Sequence, residues 1–323
     1  MARPVALITG ISGQDGAYLA QFLLEKNYEV HGTSRDAALH SFPGLERLGV
    51  LSRVHLHSMV TTDFRSVLQT LKQVQPAEIY HLAGQSSVGL SFDQPVETLD
   101  SVAVGTLNLL EAIRFLGHPT RIYHAASSEC FGDTHGEPAR EETPFRPRSP
   151  YAVAKCAAFW EVANYREAYG LFACSGLLFN HESPLRPERF VTAKIVAAAC
   201  RIARGSGEKL ILGNLDVSRD WGWAPEYVEA MWRMLQRKEP EDFVVATGVT
   251  CSLADFCREA FAQVGLEWRE HVESRPSLLR PSDLKISRAL PEKARRLLPW
   301  QARRTMPEVV AELVRERQRE DRA

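Results

Sequence analysis

Residues 5–36, VALITGISGQDGAYLAQFLLEKNYEVHGTSRD, carry the pattern that decides the fold. The short apolar run Val5–Thr9 predicts a buried strand, and the apolar spacing from Tyr18 to Glu25 predicts a helix after a glycine-rich turn. The run Glu29–Thr33 predicts a second strand. Strand, turn, helix and strand in this order form the opening unit of a parallel α/β sheet.

The turn reads Gly10-Ile11-Ser12-Gly13-Gln14-Asp15-Gly16, a GxxGxxG pattern. Glycines there let the backbone turn sharply, approach a pyrophosphate closely and pack the helix on the strand. The helix N-terminus adds free N–H donors and a partial positive charge. Three glycines at this spacing also fit a purely structural turn, but the strand-turn-helix context favours a dinucleotide site.

The same alternation continues along the chain and predicts a doubly wound parallel sheet of the Rossmann type, covered by helices on both faces. The further predicted strands are Val54–His57, Glu78–Ala83, Arg121–Ala125 and Phe172–Phe179, and the helices are Phe64–Val74, Pro95–Phe115 and Tyr151–Tyr169. Prolines interrupt the later sequence, which predicts a smaller α/β lobe for substrate. We expect a nucleotide-binding domain over 1–180 and a mainly substrate-binding lobe over 181–323, with some segments returning to the first domain.

The end of the second strand, Gly32-Thr33-Ser34-Arg35-Asp36, bears on which dinucleotide binds. An acid at this place takes the ribose 2′-hydroxyl of NAD, whereas an arginine accommodates the 2′-phosphate of NADP. Arg35 favours NADP, although it also fits an ordinary surface arginine. Asp36 could either pair with Arg35 or offer itself to a hydroxyl, and both alternatives stay open.

The catalytic signal is Tyr151-Ala152-Val153-Ala154-Lys155, read together with Ser127-Ser128-Glu129 at the end of the preceding strand. Residues four apart share one face of a helix, so the Lys155 ammonium is expected to lie beside the Tyr151 phenol and lower its pKa. Such a tyrosine can act as an acid and base. A surface tyrosine and lysine would show the same spacing, but the upstream nucleotide pattern and the polar triplet favour catalysis.

Composition excludes several function classes. The 323 residues include 39 Lys plus Arg and 40 Asp plus Glu, so a net charge of −1 makes a nucleic-acid partner unexpected. No run approaches the roughly 18 apolar residues of a membrane span, so we expect no membrane partner. Six cysteines without a CxxC pair fit small core residues in a reducing, cytoplasmic compartment. The histidines show no metal-ligand spacing, and we predict no metal.

Long segments resemble the GDP-mannose 4,6-dehydratase family of extended short-chain dehydrogenases/reductases. They cover nearly the whole chain and include LITGISGQDGAYLAQFLLEKNYEVHG, AEIYHLAGQSSVGLSF, FRPRSPYAVAKCAAFW, LLFNHESP and RDWGWAPEYVEAMW. The resemblance implies a catalytic group of Ser127, Glu129, Tyr151 and Lys155. It implies NADP contacts at Gly10, Ser12, Gly13, Gln14, Asp15, Leu82, Ala83, Gln85, Ser86, Tyr151, Lys155, His181 and Arg186. The glycine-rich motif and the end of the second strand add Gly16 and Arg35 to the candidate cofactor-binding residues.

The resemblance also implies a reaction. Tyr151 takes the proton of the sugar 4-hydroxyl while the C4 hydride passes to NADP, and the resulting ketone acidifies C5. Glu129 then moves the C5 proton to the departing 6-hydroxyl, the hydride returns to C6, and Ser127 hydrogen-bonds the 4-oxygen. The net reaction is loss of water. Alternatives are a GDP-manno-heptose 4,6-dehydratase, a GDP-4-keto-6-deoxymannose reductase and an idle nucleotide-binding subunit; Glu129, which a plain reductase does not need, favours a dehydratase.

Recognition of the GDP-sugar diphosphate calls for cations and amides, since Arg and Lys bind phosphate well. Positions that match the family are Ser87, Asn180, Lys194, Arg219 and Arg280. The chain departs from the family where Met59-Val60 replaces the usual Asp-Leu near adenine. It departs again where Asp36-Ala37-Ala38 replaces a loop used in tetramers. The resemblance implies a homodimer through the helices Pro95–Phe115 and Tyr151–Tyr169, with a homotetramer as the alternative that the changed loop disfavours.

Overall fold

The computed structural model describes residues 3–275, 278 and 282–322. Its centre is a parallel sheet of seven strands in the order β3-β2-β1-β4-β5-β6-β10. The strands are β1 Val5–Thr9, β2 Glu29–Ser34, β3 His55–Ser58, β4 Glu78–His81, β5 Arg121–Ser127, β6 Ala173–Leu178, β7 Asn180–Glu182, β8 Leu210–Leu212, β9 Ser218–Trp223, β10 Phe243–Val245, β11 Thr250–Ser252 and β12 Val272–Ser274. The order confirms the predicted doubly wound sheet.

Helices cover both faces of this sheet. They are α1 Gln14–Glu25, α2 Pro43–Arg47, α3 Phe64–Val74, α4 Val88–Asp93, α5 Pro95–Leu99, α6 Gly105–Leu116, α7 Pro150–Tyr169, α8 Val191–Ala203, α9 Ala224–Leu235, α10 Leu253–Ala262, α11 Glu292–Leu297 and α12 Met306–Glu320. On one face α1 and α9 pack around Ile8 and Val30. On the other face α3, α6 and α7 pack around Leu7 and Ile79. Apolar side chains on both faces explain why the strands read as continuous hydrophobic runs.

A smaller lobe is built from the later sequence. Strands β7, β9 and β11 form one short sheet, and β8 pairs with β12 in another. Helices α8, α10 and α12 close over a separate core that includes Trp221, Phe256 and Val310. Two later elements return to the first unit, because β10 pairs with β6 and α9 packs against α1. The division into two domains near residue 180, with segments returning to the first, stays a prediction.

Two predicted elements differ from the structure. The first helix begins at Gln14, four residues before the predicted start, because its opening turn is polar and carries no apolar periodicity. The predicted helix Pro95–Phe115 is broken by a π-helical turn over Asp100–Val104. Gly105 follows this turn and packs so close to Thr61 that a β-carbon would lie 3.0 Å from its hydroxyl oxygen. A π turn adds one residue to a helical repeat, which an apolar spacing alone does not reveal.

No helix within the described part of the chain is long and apolar enough to cross a membrane.

Candidate active site

A cleft of about 490 Å³ lies between the carboxyl ends of the central strands and the smaller lobe. This size suits a small-molecule ligand, and ligands of open α/β sheets bind beyond the carboxyl ends of the strands. One wall comes from β5, the turn after it and α7, and we call it the catalytic wall. The opposite wall comes from the segment 180–219, and we call it the cationic wall.

The glycine-rich turn between β1 and α1 is compact enough to require its glycines. Gly10 has φ +74°, and a β-carbon there would lie 2.9 Å from the backbone of Ala83. A β-carbon on Gly16 would lie 2.6 Å from the Gly10 carbonyl oxygen. Gly13 occupies the N-cap position of α1 and offers no side-chain cap. The amides of the first helical turn therefore remain available to an anion.

The loop after β2 bears on the choice of dinucleotide. Asp36 accepts hydrogen bonds from the backbone N–H groups of Ala38 and Leu39, at 3.0 and 3.1 Å. Its carboxylate is thus used to shape the loop, and it forms no ion pair with Arg35 in the portion of the chain described. Arg35 is exposed. The uncapped start of α1 fits the pyrophosphate of a dinucleotide. The exposed Arg35 fits a 2′-phosphate, which NADP carries and NAD lacks.

Asp15 and His181 form a buried ion pair that links the glycine-rich turn to the smaller lobe. His181 Nδ1 donates to the Phe179 carbonyl at 2.7 Å, and Nε2 donates to Asp15 Oδ2 at 2.8 Å. An imidazole that donates from both nitrogens is protonated. Burial alone would raise the pKa of Asp15 and lower that of His181, but the ion pair outweighs burial and shifts both in the opposite directions. Gln14 adds to this link by donating to the His181 carbonyl at 3.2 Å.

The catalytic wall brings three predicted residues together. Ser127 ends β5, and its hydroxyl accepts the Glu129 backbone N–H at 3.2 Å. The same hydroxyl is hydrogen-bonded to the Tyr151 phenol. Ser149 caps α7 by accepting the N–H of Ala152 at 3.1 Å, which fixes the first turn that carries Tyr151. A carboxylate, a hydroxyl and a phenol therefore line one side of the cleft.

Lys155 lies one turn further along α7, but its effect on Tyr151 differs from the prediction. Its Nζ donates to the Ala125 carbonyl at 2.6 Å and lies 5.9 Å from the centre of the Tyr151 ring. Burial lowers the pKa of Lys155 to about 8. Burial also raises the pKa of Tyr151, and hydrogen bonding from Ser127 only partly opposes this. The ammonium is directed at a backbone carbonyl, and the main effects that shift the Tyr151 pKa do not include Lys155, so the structure does not show the expected lowering of that pKa by Lys155.

The cationic wall carries several basic side chains that already have partners. Arg219 donates to Asp283 at 3.1 Å and to the Leu284 carbonyl at 2.8 Å. Lys194 donates to the Ile211 carbonyl at 2.8 Å. These contacts fix the two head groups, and both residues line the cleft.

Most predicted site residues line the cleft. They are Asp15, Leu82, Gln85, Ser86, Ser87, Ser127, Glu129, Tyr151, Lys155, Asn180, His181, Arg186, Lys194 and Arg219. Seven predicted cofactor residues lie outside its lining, namely Gly10, Ser12, Gly13, Gln14, Gly16, Arg35 and Ala83. The Ala83 N–H donates to the hydroxyl of Thr9, the last residue of β1, at 3.2 Å. Ala83 therefore contacts the chain directly before the glycine-rich turn. Arg280 lies outside the described residues.

Sequence reasoning missed two residues of the cationic wall. Arg189 and Asn214 both line the cleft. The Arg189 guanidinium lies 5.0 Å from the Phe190 ring centre, and it forms no ion pair across the described ranges. The signal that could have found Arg189 is the run Arg186-Pro187-Glu188-Arg189, in which two arginines frame a proline turn before α8.

Comparisons of the sequence with protein families and with individual proteins point to one family. The family described as GDP-mannose 4,6 dehydratase matches residues 7–313. GDP-mannose 4,6 dehydratase 1 of Arabidopsis thaliana is 49% identical over 87% of this chain and 81% of its own length. GDP-mannose 4,6-dehydratase of Sinorhizobium fredii is 46% identical over 97% of this chain and 96% of its own.

Solved structures agree on the architecture. The UDP-glucose 4-epimerase of Thermus thermophilus, in complex with NAD, is 25% identical with a TM-score of 0.85, covering 97% of this chain and 99% of its own. The dTDP-glucose 4,6-dehydratase DesIV of Streptomyces venezuelae is 20% identical with a TM-score of 0.88, covering 98% of each chain. The second likeness shows the fold alone.

Proposed function

This chain belongs to the GDP-mannose 4,6-dehydratase family, and we propose how its cleft carries out the reaction of that family. The reaction converts GDP-mannose into GDP-4-keto-6-deoxymannose with loss of one water, so the enzyme is a hydro-lyase. The observation that carries the assignment of roles is the placement of Glu129 in the same cleft as Ser127, Tyr151 and Lys155.

The cofactor is NADP, and when bound it would supply a hydride acceptor and donor for the sugar. Its pyrophosphate would be held by the amides at the start of α1, which follow the Gly10 and Gly13 turn and have no side-chain cap. Arg35 would bind the 2′-phosphate at the end of β2. Gln85 and Ser86 in the loop after β4 would contact the cofactor from the other side. Lys155 and Tyr151 would lie near its nicotinamide end.

Tyr151 accepts the proton of the sugar 4-hydroxyl in the first step. Its phenol must lose a proton beforehand, and burial opposes that by raising its pKa. Ser127 hydrogen-bonds to the phenol and lowers this barrier, as does the nearby positive charge of Arg186. Ser127 would also hydrogen-bond the 4-oxygen as it becomes a carbonyl.

Glu129 carries the elimination step. A ketone at C4 makes the C5 proton acidic, and a carboxylate can remove it. The protonated Glu129 then donates that proton to the departing 6-hydroxyl, which leaves as water. One group thus serves as base and then as acid, with no net change in its charge. When a hydride is returned to C6, C5 must take up a proton, and the Tyr151 phenol, which holds the proton of the 4-hydroxyl, would donate it and so return to the phenolate. An enzyme that only reduces or epimerises has no need of an acid at this position.

The cationic wall would bind the diphosphate of the substrate. Arg219, Lys194 and Arg189 provide three cationic side chains around this part of the cleft, and guanidinium groups bind phosphate oxygens in pairs. Asn180 and Ser87 would contribute neutral donors nearby. Placing the diphosphate on this wall leaves the sugar free to reach the catalytic wall.

The alternatives are less well supported. A reductase would need no equivalent of Glu129, and a heptose-specific dehydratase would need room for an extra carbon beyond C6. The relatives named above are dehydratases of GDP-mannose. An idle nucleotide-binding subunit has no reason to keep all four catalytic side chains in one cleft.

The reaction can be tested with purified protein, NADP and GDP-mannose, with GDP-manno-heptose in parallel. Mass spectrometry of the nucleotide sugar follows the loss of water, and absorbance follows NADPH. We expect GDP-mannose to lose one water with no net accumulation of NADPH. Steady consumption of added NADPH with a 4-keto sugar would identify a reductase instead, and bound cofactor without any product would identify an idle subunit.

We further propose a homodimer through the helices α5 to α7. Large apolar side chains are exposed on these three helices, namely Val96 at 72%, Phe115 at 70% and Trp160 at 62%, and α5 and α6 both pack against α7; exposed apolar side chains on neighbouring elements support an interaction surface. Light scattering of the native chain and of Trp160→Glu would test this, with a dimer expected to become a monomer. The free cysteines, several of them buried, support a reducing cytoplasmic compartment.

A further inference from the structure

A cluster of imidazoles lies on β2 and β3, the last two strands at one edge of the central sheet, apart from the cleft. Glu29 and His31 lie on β2, while His55 and His57 lie on β3. His31 is the direct cross-strand partner of His55. Residues two apart on a strand face the same side of a sheet, so all four side chains emerge on one face.

Three of these residues converge closely enough to share one ion. One ligand atom from each of Glu29, His31 and His55 lies within 4.8 Å of the other two. His31 Nε2 is 3.0 Å from Glu29 Oε1, and the His31 and His55 ring centres are 4.8 Å apart. A tetrahedral zinc ion with nitrogen and oxygen ligands at about 2.1 Å requires ligand atoms about 3.4 Å apart. Small rotations of the exposed Glu29 and His55 side chains would close this gap.

His57 contacts Nδ1 of His31, the ring nitrogen that does not contact Glu29. Its Nε2 lies 2.8 Å from His31 Nδ1, and the two rings stack with centres 5.1 Å apart. A metal-binding histidine commonly donates its other ring N–H to a fixed acceptor, which sets the ring orientation and strengthens the metal bond. His57 supplies such an acceptor for His31. His31 is also largely enclosed, whereas Glu29 is exposed, so a metal ion could enter from solvent.

We propose that Glu29, His31 and His55 form a binding site for a divalent transition-metal ion, with Zn²⁺ as the favoured ion and His57 as the orienting partner of His31. Two imidazoles and a carboxylate suit zinc, and they suit Mg²⁺ or Ca²⁺ poorly because those ions prefer oxygen ligands. Three protein ligands leave a fourth position for water.

Binding would cross-link β2 to β3, the edge strand of the sheet. The β3 residue Ser58 accepts the N–H of Ala37 at 2.9 Å and so supports the loop that carries Arg35. An ion that holds the two strands together would therefore stabilise the edge on which this loop rests. The site lies outside the cleft and takes no part in the proposed reaction.

The test uses the full chain, freed of metal with a chelator and then desalted. Isothermal titration with Zn²⁺ alone should show one strong site per chain, and thermal denaturation should show a higher melting temperature with Zn²⁺ but not with Mg²⁺. His55→Ala should weaken Zn²⁺ binding at least tenfold and abolish the rise in melting temperature. His57→Ala should weaken binding by about tenfold or more.

His118→Ala is the matched control, because it removes an exposed histidine from the loop before β5 and should leave Zn²⁺ binding unchanged. Far-ultraviolet circular dichroism of each variant without metal checks that it folds, which His55 on an exposed edge should allow. Absence of strong Zn²⁺ binding in the native chain would overturn the proposal. Unchanged binding in His55→Ala would also overturn it, since the zinc would then occupy another group such as the cysteines.

Discussion

The two walls of the cleft hold their functional side chains in different ways. On the catalytic wall, Ser127 and Tyr151 are joined by hydrogen bonds between uncharged groups, and burial shifts the pKa values of Tyr151 and Lys155. On the cationic wall, Arg219 is held by a carboxylate and by backbone carbonyls, and Arg189 is exposed. The first wall is thus suited to moving protons and the second to holding a charged substrate. Changes on the catalytic wall should lower kcat, and changes on the cationic wall should raise KM.

Tyr151→Phe should have the largest effect. It removes the group that accepts the 4-hydroxyl proton, so kcat should fall by about 10³ to 10⁴, near the upper limit for acid and base catalysis. Substrate binding should change little, because the phenyl ring remains. Steady-state kinetics of water loss measure this. Tyr169→Phe, at the exposed end of the same helix, is the control, and a comparable loss there would point to disruption of α7 rather than to chemistry.

Glu129→Gln should separate the two halves of the reaction. Oxidation at C4 does not need Glu129, whereas removal of the C5 proton does, so water loss should slow by about 10² to 10³. A single turnover should then accumulate NADPH and a 4-keto sugar that keeps its 6-hydroxyl, detected by absorbance and mass. Glu137→Gln, an exposed acid in the same region, should behave like the native protein. If Glu129→Gln failed to oxidise C4 as well, its proposed role would be wrong.

Asp15→Asn should test the ion pair that links the glycine-rich turn to the smaller lobe. Breaking a buried ion pair costs about 3 kcal/mol, because the remaining charge is left without its partner. The His181 pKa is raised and the Asp15 pKa is lowered, so the pair stabilises the fold between pH of about 3.8 and 6.5. This contribution is lost as pH rises through the folded pKa of His181, and as pH falls through that of Asp15.

Denaturant unfolding of native protein and Asp15→Asn across this range measures the difference. The control is Asp133→Asn, which removes the acid of an exposed pair with His135 at 3.9 Å and should change little. A stability difference for Asp15→Asn that is constant from pH 4 to 9 would contradict the assignment of an ion pair.

Arg189→Ala should have a smaller effect, on KM rather than kcat. Removing one exposed cation from the diphosphate site should raise the KM for GDP-mannose by about tenfold, which corresponds to about 1.4 kcal/mol. Arg258→Ala, which removes an exposed arginine of α10 outside the cleft, is the control. A fall in kcat with unchanged KM would mean that Arg189 acts on the chemistry and not on binding.

Arg35→Ala should have the smallest effect and should be specific to NADP. Loss of the proposed 2′-phosphate contact should weaken NADP binding by about fivefold to tenfold and leave NAD binding unchanged. Fluorescence titration with both dinucleotides measures the ratio, and Arg53→Ala, near β3, is the control. Equal weakening for NAD and NADP would show that Arg35 shapes the loop and does not read the phosphate.

The catalytic wall was predictable from sequence because local patterns determine it. Short apolar patterns predict elements such as the strand β1 and the helix Phe64–Val74. Short polar motifs, whose spacing sets which face the side chains share, predict Ser127, Glu129, Tyr151 and Lys155 as cleft residues. What the spacing did not reveal is the direction of the Lys155 ammonium. That direction depends on the Ala125 carbonyl thirty residues away along the chain.

The cationic wall and the side-chain cluster on β2 and β3 were less predictable, because contacts between residues distant in sequence determine both. The run Arg186-Pro187-Glu188-Arg189 is the one local signal for Arg189, and whether that arginine lines the cleft depends on how α8 packs in the smaller lobe. The imidazole cluster was missed because its two halves lie on different strands. Glu29-Val30-His31 supplies two of the proposed ligands, and His55-Leu56-His57 supplies the third ligand and the orienting His57. Only the parallel pairing of β2 with β3 brings the two segments together.

The most direct test of the central claim follows the hydrogen at C4 of the sugar. GDP-mannose labelled with deuterium at C4 is mixed with unlabelled substrate, and the product is analysed by mass spectrometry and proton NMR. If one cleft oxidises C4, eliminates water and reduces C6 before the sugar leaves, the deuterium will appear at C6 of the molecules that carried it. Deuterium that remains at C4, or that is distributed among initially unlabelled molecules, would contradict the account.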